Sequence, residues 1–305
     1  MSRKEKRSGR PRSRQENPPS HVLRGHNRAS RLAKIATLCV AMVRKRMGQH
    51  FLVGPGWRKR VVESLPLRPS ETWVEIGAGH GEMTELLAAP DRRVISIEAD
   101  ARLADSLQTR VQSDPAKWPG VEVFLGDVLK ADLAAAAGGR FRVYGNLPYY
   151  ITSPILHHLF AFAGRITSIH VVVQWEVAAR ITARPGRREY GYLSAACQFY
   201  ARPKIVLRLP PGAFRPPPRV TSALVAMELP GERASLDIAD ERRFLKFVQT
   251  CFGQKRKTLR NNLRTQFSNH LIGDALQSAA LRADSRAEQL SLAQFTALFR
   301  KLARQ

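Results

Sequence analysis

The chain has 305 residues, and its 50 lysines and arginines against 25 aspartates and glutamates give a formal charge of +25, which favours a phosphate-rich partner such as RNA. Three widely spaced cysteines, Cys39, Cys197 and Cys251, exclude a disulfide framework and a CxxC metal site. The apolar stretch 35–43 is too short for a membrane span and lacks a cleavage site, so we expect a cytoplasmic protein without a signal peptide.

The N-terminal residues 1–43 form a basic segment rich in arginine, serine and proline, which carries a net charge of +9. This composition predicts a disordered extension, for which one interpretation is a cationic tether for RNA. The remaining residues keep a charge of +16, so the body of the protein is basic in its own right. The chain is long enough to bury one large hydrophobic core and a smaller one, which predicts two domains at 44–229 and 240–305.

The first predicted strand, 72–76, leads into a glycine-rich loop at 77–81, and a helix is predicted directly after it at 82–89. Gly77, Gly79 and Gly81 let the backbone turn tightly and approach a ligand closely. Their Gly-x-Gly-x-Gly spacing differs from the dinucleotide-binding pattern and matches the loop of S-adenosylmethionine-dependent methyltransferases.

Two carboxylates follow the next two predicted strands. The strand 93–97 ends in Glu98, at about 20 positions after the first glycine, where a carboxylate typically accepts hydrogen bonds from ribose hydroxyls. The strand 121–125 leads to Asp127, which could accept the amino group of an adenine. Either residue alone is equally a solvated carboxylate at a strand end. Together they predict a cofactor site at the carboxyl edge of an open sheet.

The fourth predicted strand, 141–144, is followed by Asn146, Leu147, Pro148 and Tyr149. The Asn146 side-chain oxygen and the Leu147 carbonyl, held rigid by Pro148, can accept both hydrogens of an exocyclic amine, while Tyr149 offers a flat face. The four residues alone are equally an ordinary turn after a strand. Their place downstream of a nucleotide loop favours an adenine clamp.

Three further strands are predicted at 168–173, 204–209 and 220–228, with helices at 100–113 and 154–162 between the earlier strands. Thr152 and Ser153 are candidate N-caps of the second helix. We expect parallel pairing of the first five strands and an antiparallel hairpin of the last two around the proline-rich loop 210–218. The predicted fold class is therefore α/β, a Rossmann-like doubly wound sheet with a small all-α C-terminal domain.

In the C-terminal segment, regularly spaced cations alternate with Leu259 and Leu263, which are four positions apart. This spacing predicts a helix with one cationic and one apolar face. A solvated face is the ordinary interpretation of such a run. With a basic body and an adenine clamp, a surface that contacts RNA phosphates is favoured. Its predicted RNA-binding residues are Lys255, Arg256, Lys257, Arg260 and Arg264.

Nine ordered segments together carry a family resemblance: residues 48–52, 77–81, 98, 126–127, 145–149, 174–177, 190–194, 214–223 and 255–263. From Arg44 to its C-terminus the chain resembles the KsgA family of ribosomal RNA adenine dimethyltransferases. Members typically begin near Met42, so residues 1–41 are either a genuine extension or a misassigned translation start.

The resemblance implies a class I methyltransferase fold and N6-dimethylation of two adjacent adenosines near the 3′ end of 16S rRNA. It implies a monomer that uses S-adenosylmethionine without a metal and acts on the small ribosomal subunit or its precursor, with no membrane partner. The implied cofactor contacts are Gly77, Gly79, Glu98, Asp127 and Asn146, with His50 and Leu52 closing over the cofactor. His50 departs from the asparagine often found at its position.

The resemblance also places Phe214 beside the target adenine, where it would stack on the base opposite Tyr149. The alternative is that Phe214 fills the core. Two other functions remain open: methylation of 23S rRNA, as in macrolide resistance, and RNA binding without catalysis in an assembly or transcription factor. Leu147 and the segment 255–263 argue against the first, and the glycine loop with Glu98 and Asn146 argues against the second.

Overall fold

A seven-stranded sheet organises residues 49–303, the range that the computed structural model describes. The extension predicted at 1–43 lies outside the described residues. The strands of this sheet are β2 (Thr72–Ile76), β3 (Arg93–Glu98), β4 (Val121–Leu125), β5 (Phe141–Asn146), β6 (Ile166–Gln174), β7 (Arg202–Leu209) and β9 (Ser222–Glu228). Their order in the sheet is β4-β3-β2-β5-β6-β9-β7.

The strand pairing confirms the predicted doubly wound α/β sheet. Strands β2 to β6 pair in parallel, whereas β9 lies antiparallel between β6 and β7. The inner strands are buried along nearly their whole length, as expected for strands covered on both faces, and the edge strands β4 and β7 carry more exposed residues.

A small antiparallel ribbon lies outside this sheet and was not predicted. Its strands are β1 (Phe51–Leu52) and β8 (Phe214–Arg215), and Leu52 lies opposite Phe214. The Val53 amide extends the pairing by donating to the Ala213 carbonyl at 3.0 Å. The ribbon ties the start of the described chain to the loop between β7 and β9.

Helices cover both faces of the sheet and form the C-terminal region. Within 49–303, every helix is too short or too polar to cross a lipid bilayer. The α-helices are α1 (Pro55–Glu63), α2 (Glu82–Leu87), α3 (Ala101–Ser113), α4 (Leu133–Ala137), α5 (Thr152–Phe160), α6 (Trp175–Thr182), α7 (Tyr192–Tyr200), α8 (Arg233–Leu236), α9 (Glu241–Cys251), α10 (Leu259–Leu263), α11 (Asn269–Ser278) and α12 (Leu292–Ala303).

Two predicted helix details are wrong. Thr152 and Ser153 lie inside α5, whose N-cap is Ile151, because the Pro148 carbonyl accepts the Ile151 amide and the Thr152 hydroxyl and so starts the turn earlier. The cations at 255–257 lie in a turn, and only the five residues of α10 that follow are helical. The predicted apolar face is present, since Leu259 and Leu263 are fully buried.

Side chains alternate between the two faces of the sheet and build a core on each. Val74 packs with α4, α5 and α6 on one face, whereas Trp73 packs with α1, α2 and α3 on the other. A third core joins the C-terminal helices and includes Phe199 of α7 and Phe244 of α9. Because α7 shares this core, the domain boundary at 230–240 stays a prediction.

Candidate active site

The carboxyl ends of four parallel strands bring the predicted site residues to one edge of the sheet. Ile76, just before the glycine loop, pairs with Ile97 of β3 and with Gly145 of β5. Glu98 pairs with Leu125 at the end of β4. The glycine loop, Glu98, Asp127 and Asn146 therefore lie on neighbouring strand ends, as parallel strands require.

The glycine loop has backbone angles that favour glycine. Gly77, Gly79 and Gly81 have φ angles of +74°, +60° and +82°. A Cβ atom at Gly79 would lie 3.0 Å from the Phe51 ring, and one at Gly81 would lie 2.5 Å from Leu107 Cδ1. Both backbone conformation and packing thus exclude larger residues.

Glu98 is buried and holds the glycine loop in place. Its Oε2 accepts the Gly79 amide at 2.8 Å, and its Oε1 accepts the Asp100 amide at 2.9 Å. Each carboxylate oxygen has a second lone pair, so acceptor capacity for a hydroxyl remains. Sequence reasoning foresaw only a ligand contact, and the structure adds this supporting role.

The end of β4 combines a carboxylate with exposed apolar surface. Asp127 is exposed, and its Oδ1 accepts the Leu129 amide at 3.0 Å, which leaves Oδ2 for a ligand. Leu125 is 57% exposed and Phe124 is 44% exposed. Exposed apolar side chains beside a hydrogen-bond acceptor suit a flat heterocycle with an amino group.

A buried carboxylate, Glu75, lies within the strand that precedes the glycine loop and was not predicted. Its Oε2 accepts the Thr84 hydroxyl at 2.6 Å and the Ser96 hydroxyl at 2.8 Å. Burial raises the pKa of Glu75 to about 7, although the two hydroxyl hydrogen bonds oppose this. The signal in the sequence was a glutamate inside an otherwise apolar strand.

Asn146 is oriented by a hydrogen bond to the ribbon. Its Nδ2 donates to the His50 carbonyl at 2.7 Å, and because a carbonyl only accepts, the amide nitrogen must face His50. Within residues 49–303, no group donates to Asn146 Oδ1 or to the Leu147 carbonyl. Two acceptors next to each other in the chain are therefore available to an amine.

Leu147 and Tyr149 are held by contacts that fix the loop. The Leu147 amide donates to the Val172 carbonyl at 3.1 Å, and the Leu147 side chain is buried in the core. The Tyr149 hydroxyl bonds Ser222 Oγ at 2.7 Å, and burial raises the pKa of Tyr149 while this hydrogen bond lowers it. The Pro148 carbonyl closes the following turn, so the whole loop is anchored.

His50 covers part of the face of Tyr149 that was predicted to receive a base. The two rings are stacked with centroids 5.4 Å apart and an interplanar angle of 27°. His50 Nδ1 lies 2.7 Å from the Pro216 carbonyl, so this nitrogen donates the hydrogen. Two neighbouring rings that sequence reasoning missed are more exposed: Tyr150 at 57%, and Trp175 at 38% with the Arg208 guanidinium 5.0 Å from its centroid.

Phe214 and Leu52 do not present their side chains to this site. Phe214 is only 3% exposed, and both residues pack into the core that contains Val61 and Ala213. Their cross-strand pairing in the ribbon directs both side chains inward. This burial favours the alternative that Phe214 fills the core, while its stacking opposite Tyr149 and the cofactor contact of Leu52 stay predictions.

The predicted RNA-binding residues differ in their exposure. Lys255, Arg256 and Lys257 are exposed, and Arg264 is exposed at the end of α10. Arg260 is half-buried against Gly273 of α11, with Nε enclosed and lacking a partner in the described part of the chain. Arg260 is thus less accessible to RNA than the other four cations.

A second run of cations, missed by sequence reasoning, joins the turn at 255–257. Lys255 Nζ donates to the Arg188 carbonyl at 2.9 Å, which connects this turn to the loop between α6 and α7. That loop carries the exposed residues Arg184, Arg187 and Arg188. We call the two loops together, residues 184–188 and 255–257, the cationic platform.

No group of histidine, cysteine, aspartate or glutamate side chains in the described range, 49–303, is arranged to hold a metal ion. The two described cysteines, Cys197 and Cys251, are buried, and burial raises the pKa of each thiol.

Comparisons with known proteins place this geometry in context. A family model for "Ribosomal RNA adenine dimethylase" matches residues 40–304. The "Ribosomal RNA small subunit methyltransferase A" of Acidobacterium capsulatum is 45% identical over 260 residues, which cover 84% of this chain and 90% of that protein. The protein of the same name from Xanthomonas campestris is 40% identical over 260 residues, covering 85% of this chain and 95% of that protein.

Two solved structures share the fold over nearly their full length. A dimethyladenosine transferase from Plasmodium falciparum matches with a TM-score of 0.71 and 24% identity, covering 84% of this chain and 98% of that one. The 23S rRNA methyltransferase ErmE matches with a TM-score of 0.63 and 27% identity, covering 83% of this chain and 99% of that one.

Proposed function

The chain belongs to the ribosomal RNA adenine dimethylase family, and we propose that it methylates N6 of two adjacent adenosines in the hairpin near the 3′ end of 16S rRNA. The observation that carries this proposal is the pair of available acceptors, Asn146 Oδ1 and the Leu147 carbonyl, beside a nucleotide-type glycine loop. The small-subunit assignment rests on relatives of that name at 40% and 45% identity.

The residues at the carboxyl edge fit S-adenosylmethionine as the methyl donor. When bound, this cofactor supplies a methyl group on a positively charged sulfur. The glycine loop from Gly77 to Gly81 permits close backbone approach, Glu98 retains acceptor capacity for ribose hydroxyls, and Asp127 with the exposed Leu125 suits an adenine ring.

The protein's contribution to the chemistry is positioning rather than base catalysis. The exocyclic nitrogen of adenine donates its lone pair into the ring, so it is a weak nucleophile. Hydrogen bonds to Asn146 Oδ1 and the Leu147 carbonyl hold both amine hydrogens and turn the lone pair out of the ring system. In the transfer, the new nitrogen–carbon bond would form as the carbon–sulfur bond breaks, with its electron pair left on a neutral thioether, and the alkylated nitrogen would release its extra proton to solvent.

The second methylation uses the same two acceptors with one hydrogen fewer. A monomethylated amine has one hydrogen left, so a single hydrogen bond and the space beside the other acceptor must hold it. The Asn146 side chain is fixed by its bond to the His50 carbonyl, which keeps Oδ1 in place for both rounds. Tyr150 and Trp175 supply exposed rings on which the extruded base can stack.

We assign the cationic platform to the phosphate backbone of the RNA. Its residues at 184–188 and 255–257 are exposed and basic, and the whole chain carries +25. We place the substrate in the small ribosomal subunit or its precursor, bound by one copy of the protein in the cytoplasm, where bacterial ribosomes are assembled.

The test is to incubate the protein with labelled S-adenosylmethionine and either undermethylated small-subunit particles or protein-free large-subunit RNA, and then to map the label. We expect label on N6 of two adjacent adenosines in 16S rRNA and none on 23S rRNA. Label confined to 23S rRNA would contradict the proposal.

A 23S rRNA methyltransferase is the second candidate, favoured by the structural match to ErmE. Its identity of 27% is lower than the 40% and 45% of the small-subunit relatives, so it ranks behind them. An RNA-binding protein without catalysis is a third outcome, and cofactor binding without label transfer to either RNA would identify it.

A further inference from the structure

A cavity of about 420 Å³ lies among the C-terminal helices. It is bounded by α9, by α12 and by the segment between α10 and α11. None of its lining residues belongs to the strand ends of the candidate active site or to the cationic platform. The proposed reaction therefore leaves this cavity without a role.

One wall of the cavity is cationic. Arg242, Arg243 and Lys246 lie along α9, with Arg242 and Lys246 one turn apart on the same side. All three are exposed, and none forms an ion pair with another residue in 49–303. Asp240 is the single acid among the described lining residues, and its Oδ1 is occupied by the Arg243 amide at 2.8 Å. The cavity therefore favours an anion.

The other wall is apolar and largely aromatic. Phe247 and Phe299 contact each other with centroids 5.6 Å apart, and Phe267 is partly buried at the edge of the same core. A bare anion needs no aromatic wall, and an apolar group needs no cluster of cations. A ligand that joins a phosphate to a flat ring uses both walls.

We propose that this cavity binds one unpaired nucleotide of the RNA substrate, with its base against Phe267 and its phosphate beside Arg242 and Lys246. The inference rests on the proposed function, because it takes the same RNA as ligand. Phe247 is the last residue of α9 that lines the cavity, and the four helical residues after it, at about 1.5 Å each, span about 6 Å before the turn that carries Lys255. The nucleotide is thus held by residues that do not belong to the cationic platform.

The experiment measures binding of the full-length protein to a short fluorescent single-stranded RNA and to a blunt RNA duplex with the same number of phosphates. Replacing both Arg242 and Lys246 with alanine should weaken single-strand binding roughly tenfold or more. The matched control, Arg140→Ala with Arg165→Ala, removes the same charge from exposed positions just before β5 and β6. It should change the affinity less than about threefold.

Phe267 separates base stacking from charge. Phe267→Leu should weaken single-strand binding roughly tenfold and leave duplex binding unchanged, because paired bases cannot enter the cavity. Phe267→Tyr keeps a stacking ring and should retain affinity, while thermal unfolding of both variants checks that the helices remain folded. With small-subunit particles, the cavity variants should raise KM and leave kcat unchanged.

Three results would overturn the inference. The first is an equal loss of single-strand affinity in the cavity double variant and the control double variant, and the second is an equal effect of Phe267→Leu on the affinities for duplex and single strand. The third is displacement of the RNA by oligoglutamate with an affinity that Phe267→Leu does not alter. The proposed function fails separately. If the unmodified protein methylates no ribosomal RNA but the cavity variants lose single-strand binding, only the cavity assignment stands. If 16S rRNA is methylated and the cavity variants bind single-stranded RNA as tightly as the unmodified protein does, only the cavity assignment is wrong.

Discussion

Replacing Asn146 with alanine removes two hydrogen bonds with different consequences. Loss of Oδ1 takes away one of two acceptors for the target amine, and removing one preorganised partner of this kind typically lowers kcat by about 10² to 10³. Loss of the 2.7 Å bond from Nδ2 to the His50 carbonyl should lower the free energy of unfolding by about 1 kcal/mol. RNA affinity should stay unchanged, because the proposed phosphate contacts lie elsewhere.

Single-turnover methyl transfer to undermethylated small-subunit particles measures the first effect, and thermal unfolding measures the second. Asn269→Ala is the matched control, since it makes the same truncation at an exposed position in the first turn of α11. Asn146→Asp keeps an acceptor but places an oxygen against the His50 carbonyl, so it should destabilise the fold more than alanine does. Full activity of Asn146→Ala would refute the amine clamp, and a loss of RNA affinity as large as the loss of rate would move the residue to a binding role.

Three further predictions concern the charged residues Glu75, Glu98 and the pair Lys255 and Lys257. Burial raises the pKa of Glu75 from 4.5 to about 7 in the folded protein, so its contribution to stability is complete below the unfolded pKa and is lost as the pH rises through 7. Because Glu75→Gln does not ionise, its free energy of unfolding relative to that of the unmodified protein should rise by about 2 to 3 kcal/mol from about pH 5 to about pH 8. Denaturant unfolding at each pH measures this difference. Glu98→Gln places an amide where two backbone amides donate, so calorimetry should show S-adenosylmethionine binding weakened about tenfold to a hundredfold with RNA binding unaltered. Replacing Lys255 and Lys257 together with alanine should lower the slope of log affinity against log salt by about 1 to 2 for RNA, and an unchanged slope would exclude them from phosphate contact.

The sheet and its carboxyl-edge residues were predictable because their signals are local. Mainly apolar runs of four to nine residues marked the inner strands, and the glycines at 77, 79 and 81 marked a loop that only glycine can follow without strain. Parallel pairing then places the residues after each strand at the same edge. Glu98, Asp127 and Asn146 needed no further information to be grouped together.

The ribbon was not predictable, because its strands have only two residues each and pair across more than 160 positions of the chain. Two-residue strands carry no periodic pattern, so nothing in the sequence showed that Leu52 and Phe214 turn inward together. The same reason explains the missed platform: the hydrogen bond from Lys255 to the Arg188 carbonyl joins two loops, each of which looks like an ordinary solvated run.

The order of the strands favours separate places for the two flat ligands of the proposed reaction. β2, which carries the glycine loop, has β3 and β4 on one side and β5 and β6 on the other. Leu125 is exposed at the end of β4, whereas Tyr150 and Trp175 are exposed just after β5 and β6. Apolar surface in contact with water costs about 25 cal/mol of free energy per Å², and a flat ring that covers this surface on binding removes the cost. We therefore expect the cofactor's adenine on the β4 side and the target adenine on the β5 side, close to Asn146 Oδ1 and the Leu147 carbonyl.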